Sequence, residues 1–148
     1  VEETLSFFLS KREQDLIEVA LDGNPAFADV AAEDFGAILL DWNDFVGECE
    51  SGFEGDLEDY RMGLHLRDIV DHVVSNSEPE LGQKILDIIV EPDQKFRQIL
   101  TDCRKRLDPP PHKATAEATP FWYQGVVGKQ GFTLRRDLIR QGWFRPHP

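Results

Sequence analysis

The chain has 148 residues and a mass of 16.9 kDa; it is 41% apolar and 30% charged, with a formal net charge of −12. A chain of this size suits one domain and buries roughly 68–70% of its unfolded surface, so it needs no staples. Ten Phe, three Trp and two Tyr exclude a disordered chain, two cysteines exclude a disulfide scaffold, and no apolar run approaches the roughly 18 residues of a membrane span.

The opening Val1-Glu2-Glu3 lacks the basic-then-apolar order of a signal peptide, so a cytoplasmic protein is expected. Ser10-Lys11-Arg12-Glu13 fits a capping box, in which the serine accepts from an orphan backbone N–H and the glutamate reaches back. A first helix follows, carrying Leu16, Ile17 and Ala20, and Gly23-Asn24-Pro25 stops it.

A second helix is predicted from about Val30 to Cys49. Phe35, Ile38, Leu39, Trp42, Phe45, Val46 and Cys49 recur on one stripe at the 3.6-residue period. Asp41, Asp44 and Glu48 fall about 180–240° away from Phe35, on the opposite side, at 100° per residue. Ser51 to Gly55 breaks the pattern.

A third helix covers about Asp56 to Ser75, with a stripe of Met62, Leu66, Ile69, Val70 and Val73. Arg61, His65, Asp68 and His72 line another side. Ser77-Glu78-Pro79-Glu80 resembles a second capping box with proline in the first turn, where its missing N–H costs nothing. Leu81, Ile85, Ile88 and Ile89 then face inward. Pro92 is expected to kink this helix or to start a fifth. Phe96, Ile99, Leu100, Cys103 and Leu107 continue the pattern.

Two regions are expected, an acidic helical domain over 1–107 and a basic, aromatic appendage over 108–148 packed on it. Residues 108–120 contain four prolines and read as an extended connector. Phe121-Trp122-Tyr123, Val126-Val127 and Phe132-Thr133-Leu134 suggest two short β segments around a glycine-flanked turn. Thr133 is placed as the cap of a last helix over 134–141. The fold expected is therefore mainly α: a helical-bundle-like domain of four to five helices with a proline-rich connector and a small C-terminal β-hairpin/helix appendage.

Several constellations invite a chemical reading. His65, Asp68 and His72 have ligand chemistry suited to zinc or iron, but His65 and His72 are two turns apart, about 10.5 Å at 1.5 Å per residue. A surface Asp68–His72 pair at i, i+4 is the expectation instead. Asp41, Asp44 and Glu48 could serve Mg²⁺ or two irons if they faced a bundle core, yet the apolar stripe occupies that side. Asp41 and Asn43 begin a calcium loop that fails at Phe45 and Val46. Gly125 to Gly131 has a two-residue spacing where a phosphate loop needs four, and reads as a turn. Cys49 and Cys103 lie on apolar stripes and are expected as buried thiols. The sequence thus points to no catalytic residues, no metal and no cofactor.

What stands out is the charge distribution. Residues 1–107 carry 10 bases and 25 acids, a net of −15; residues 108–148 carry six bases and three acids, a net of +3. From Glu13 to Tyr60 there are 15 acids and no Lys or Arg. Such a surface repels phosphates, so nucleic acid is excluded as the ligand of this face. It suits a basic protein partner, whose encounter it would steer. The expectation is a small inhibitor or immunity-type protein that neutralises a basic toxin or nuclease. Its candidate contacts are Asp41, Asp44, Glu48, Glu50, Glu54, Asp56, Glu58 and Asp59, with Phe53, an aromatic between glycines, as the apolar anchor. The alternatives are a small metal-dependent hydrolase using carboxylates with His65 and His72, and a scaffold or oligomeric adaptor. Phe121-Trp122-Tyr123, with Trp143, Phe144 and the C-terminal arginines, is expected to stitch the tail onto the body.

Overall fold

In a computed structural model, which describes residues 9–101, 120–123, 126–127 and 130–140, the protein is mainly α-helical. Five helices are present among these residues: α1 Lys11–Asp22, α2 Phe35–Ser51, α3 Leu57–Asn76, α4 Pro79–Ile99 and α5 Phe132–Arg140.

Local chemistry sets most of the boundaries. The Ser10–Glu13 capping box forms as read: Glu13 N donates to Ser10 Oγ at 3.1 Å and Ser10 N donates to Glu13 Oε1 at 2.8 Å. α2 starts later than Val30, after a 3₁₀ turn at Ala32–Asp34, and the Asp34 side chain makes no capping bond. It ends at Gly52, whose φ of 113° is open only to glycine at little cost. α3 begins with a reciprocal box that the sequence reading missed, Asp56 with Asp59. The proposed box at Ser77 does not form. Only Ser77 and Glu78 separate α3 from α4, so Ser77 closes α3, and Glu78 takes the N-cap position without a side-chain capping bond. Glu78 instead pairs with Arg12 of α1 at 2.8 Å.

α4 runs through Pro92 without ending. The proline ring removes one backbone donor, but Pro92 is buried, and its neighbour Asp93 is held from two sides. Arg67 of α3 reaches it with two bonds, at 3.0 and 2.9 Å, and Trp42 of α2 donates Nε1–H to it at 2.9 Å. Tertiary ties therefore outweigh the local breaker.

α2 packs against both α3 and α4, α1 leans on α3, and α5 lies against α3. Trp42, Phe45, Phe53, Tyr60 and Phe96 form the aromatic centre, with ring centroids 5.1–6.1 Å apart. Gly63 of α3 is required there, because a Cβ at that position would run into the Phe45 ring. Ile69, Val73 and Ile85 are buried as expected, whereas Ile99 and Leu100 are only half-buried. Met62, placed on the inner stripe of α3 by its spacing, is 65% exposed.

The C-terminal hairpin does not form among the described residues. Phe121–Tyr123 is a 3₁₀ turn, and Val126–Val127 pairs antiparallel with Leu100–Thr101, at the end of α4, rather than with a following strand. Phe132–Leu134 is already helical, so Thr133 lies inside α5 and does not cap it. Val126, Val127, Leu134 and Leu138 join the same hydrophobic core as the helices. The proline-rich connector, Cys103, Trp143 and Phe144 lie outside the described residues.

Candidate functional site

The apolar stripe of α2 turns Asp41, Asp44 and Glu48 outward, and all three are exposed. Glu50 sits on the other flank of the helix, about 60° from Phe35 at 100° per residue, and is half-buried. Below the end of α2 the chain turns at Gly52 and enters α3 at Leu57. This turn encloses a groove of about 730 Å³, lined by Glu48, Glu54 and Asp59 together with Gly47, Ser51, Gly52, Phe53 and Gly55. The glycines and the serine keep it open, and Phe53 forms a wall.

Phe53 is not the exposed anchor that its glycine neighbours suggested. It is buried, edge-on to Phe45 and Tyr60 with centroids 5.4 and 5.7 Å away. Its carbonyl accepts from Gly131 N at 2.6 Å. Asp56 and Asp59 also have a local task. Asp59 N donates to Asp56 Oδ1 at 2.8 Å and Asp56 N donates to Asp59 Oδ2 at 3.2 Å. Their charge lies at the positive end of the α3 dipole, where it stabilises the helix.

Asp41, Asp44, Glu48, Glu54 and Glu58 are different. All five are exposed, and none has an ion-pair or hydrogen-bond partner among the described residues. Several acids elsewhere are paired: Glu13 with Lys84 at 2.8 Å, Glu78 with Arg12, Glu91 with Lys95 at 3.1 Å, Asp93 with Arg67, and Asp137 with Arg136 at 3.3 Å. Burial raises the Glu13 carboxyl, but Lys84 and Ser10 together outweigh it and hold the group below the usual range. A second acidic groove, about 380 Å³, lies between α1 and the turn before α2, with Asp15, Glu18, Asp22, Asp29 and Glu33 around Lys11. The base-free run from Glu13 held the signal for it, but the candidate list began only at Asp41.

The His65, Asp68, His72 face is not a surface pair. Asp68 is 0% exposed. It accepts from Trp122 Nε1 at 2.9 Å and from the Tyr123 hydroxyl. His72 turns to α1 and donates Nε2–H to the Ala20 carbonyl at 2.8 Å; Nε2 must carry the hydrogen because a carbonyl only accepts. His65 Nδ1 lies 3.9 Å from Asp68. Among the described residues no three His, Cys, Asp or Glu side chains are grouped to hold a metal ion.

The aromatic triplet is the anchor of the C-terminal segment. Arg67 Cζ lies 4.5 Å from the Trp122 ring centroid and Arg97 Cζ lies 3.8 Å from that of Phe121. These are cation–π distances. Trp122 and Tyr123 are buried, and so are not presented for stacking on bases. Burial, and then the Asp68 charge, push the Tyr123 phenol well above its usual range. Burial, with Glu48 adding to it, raises the thiol of Cys49. No protein-family model, curated protein or solved structure matches this chain. Among the described residues no helix is long and apolar enough to cross a membrane.

Proposed function

We propose that this chain is a small acidic binding protein of the inhibitor or immunity type, whose surface from Asp41 to Asp59 neutralises a basic protein partner such as a nuclease or a toxin. The observation that carries this reading is the cluster of uncompensated charge within a stretch that has no Lys or Arg. Five exposed carboxylates between Asp41 and Glu58 line one turn of the fold with no cation among the described residues, whereas Glu13, Glu78, Glu91, Asp93 and Asp137 each have one. Unpaired like charges on one side lower stability. A basic partner offsets that cost, and complementary fields speed its encounter. Glu48, Glu54 and Asp59 around the groove would receive lysine or arginine side chains. The buried free thiol of Cys49 is in keeping with a reducing, cytoplasmic setting.

The test compares the native chain with a variant carrying D44K, E48K, E54K and E58K as baits in the source cell extract. A basic protein retained by the native chain and lost by the variant supports the reading. Its association rate should fall steeply as salt rises, since steering acts within about 8–10 Å at physiological ionic strength. Equal retention by both baits, or a rate indifferent to salt, removes it.

A further inference from the structure

α5 has two faces. Leu134 and Leu138 are buried, and Asp137 reaches the start of α3, where it accepts from Leu57 N at 3.1 Å. The opposite face carries Phe132, 82% exposed, and Ile139, 52% exposed, at i and i+7. At 100° per residue their side chains are about 20° apart, and Arg136 and Arg140 stand along one flank. This is an apolar ridge edged with positive charge, on a body whose net charge is −12.

The ridge begins at the rim of the acidic groove. Gly131, the residue before Phe132, donates to the Phe53 carbonyl. It lies so close to Glu54 that a Cβ on it would stand 2.9 Å from the Glu54 Cα. Phe53 and Glu54 also line the groove. An apolar-basic ridge and an acidic groove therefore lie side by side on one molecule.

We infer that the chain forms a twofold dimer in which Phe132 and Ile139 of each copy seat in the other copy's groove, with Arg136 and Arg140 against Glu48 and Glu54. Charge complementarity selects a second copy as the occupant. The adjacency selects the symmetry, because two patches placed beside one axis make two equivalent contacts that close. Patches on opposite sides of a molecule would give open chains instead. At about 0.15 M salt the Debye length is about 8 Å, so repulsion between the two acidic bodies is screened while pairs in contact persist. The dimer goes beyond the basic-partner reading and competes with it for Glu48 and Glu54; its test uses the protein alone, so failure of one reading is distinguishable from failure of the other.

Sedimentation equilibrium of the full chain at fixed physiological ionic strength reads the result. The native protein should show a monomer–dimer equilibrium, with a species twice the 16.9 kDa chain mass. F132S with I139S, R136E with R140E, and E48R with E54R should each weaken association at least tenfold, with unchanged far-ultraviolet circular dichroism. Combining the two charge reversals should restore it. A native chain that is monomeric throughout, open polymers, or a dimer indifferent to these substitutions overturns the inference. Failure of the folded double reversal to restore association overturns it too. A monomer that instead cosediments with phosphatidylserine vesicles through Phe132 assigns the ridge to a lipid surface, and also overturns it.

Discussion

Asp68→Ala tests how the C-terminal segment is held. The native carboxylate is fully buried and accepts hydrogen bonds from the Trp122 indole and from the Tyr123 hydroxyl. Removing it leaves two buried donors without partners. Each such orphan costs about 1–3 kcal/mol, so the loss should be about 2–6 kcal/mol. That is a large share of the roughly 5–15 kcal/mol that a domain possesses. Asp68→Asn should be far milder. The indole can only donate, and the amide oxygen still accepts from it, while the tyrosine hydroxyl can reverse its role and accept from the amide nitrogen. A cost near 1 kcal/mol is expected for Asn. Chemical denaturation followed by circular dichroism gives both values. Hydrogen exchange should locate the damage, with amides of 121–123 and 132–140 accelerated more than those of α2. If Ala costs less than about 1 kcal/mol, or if Asn costs as much as Ala, the carboxylate is not the latch described.

Gly63→Ala should destabilise the protein by about 1–3 kcal/mol, against the roughly 1 kcal/mol that alanine gains in an open helix, because its Cβ overlaps the Phe45 ring; the thermal midpoint reads the sign. Asp137→Asn should remove a pH dependence. The Leu57 backbone N–H lowers the Asp137 pKa below its ordinary value; burial opposes it, and Arg136 and Arg140 add smaller lowering effects. A lowered folded-state pKa contributes stability that is present above the unfolded value of about 3.9 and lost as pH falls through the folded value. The stability gap between native and Asn proteins should therefore be constant from pH 7 to about 5 and shrink below about 4. A gap that grows on acidification would reverse the assignment.

The helices were legible wherever one residue pattern decided them. The α2 stripe from Phe35 to Cys49 is buried as spaced, and Ser10 with Glu13 forms the expected cap. Misreadings arose where a distant element decides burial. Phe53 looked exposed because its neighbours are polar, but Phe45 and Tyr60 from two helices enclose it. Met62 repeats with Leu66 and Ile69, yet it lies on an exposed part of α3. Asp68 was placed on a polar side because no local signal announces that Trp122 and Tyr123, over fifty positions later, would come to cover it. Val126-Val127 showed strand character truthfully, but pairing choice is nonlocal, and its partner is Leu100–Thr101. The acidic face was the most legible feature, since charge counts need no geometry. What the sequence could not tell is which carboxylates find cations inside the fold.

The latch between Asp68 and the aromatic triplet also sets an order of assembly. Residues 9–101 supply α1 to α4 and the Arg67–Asp93 tie, whereas Trp122 emerges about twenty residues after Thr101 during synthesis. At about 5–20 residues per second that delay is roughly 1–4 s. Helical bodies with local contacts fold in microseconds to milliseconds. The four-helix body therefore has time to form around an Asp68 carboxylate that water, not indole or phenol, must solvate. Docking of 120–140 then expels that water and closes the core. Chains arrested once residue 105 has cleared the ribosomal exit should already protect α2 from protease, while protection of the α3 surface around Asp68 should appear only when arrest is moved past the exit of Arg140. Protection of both at the earlier point would mean that the last segment covers a core already complete.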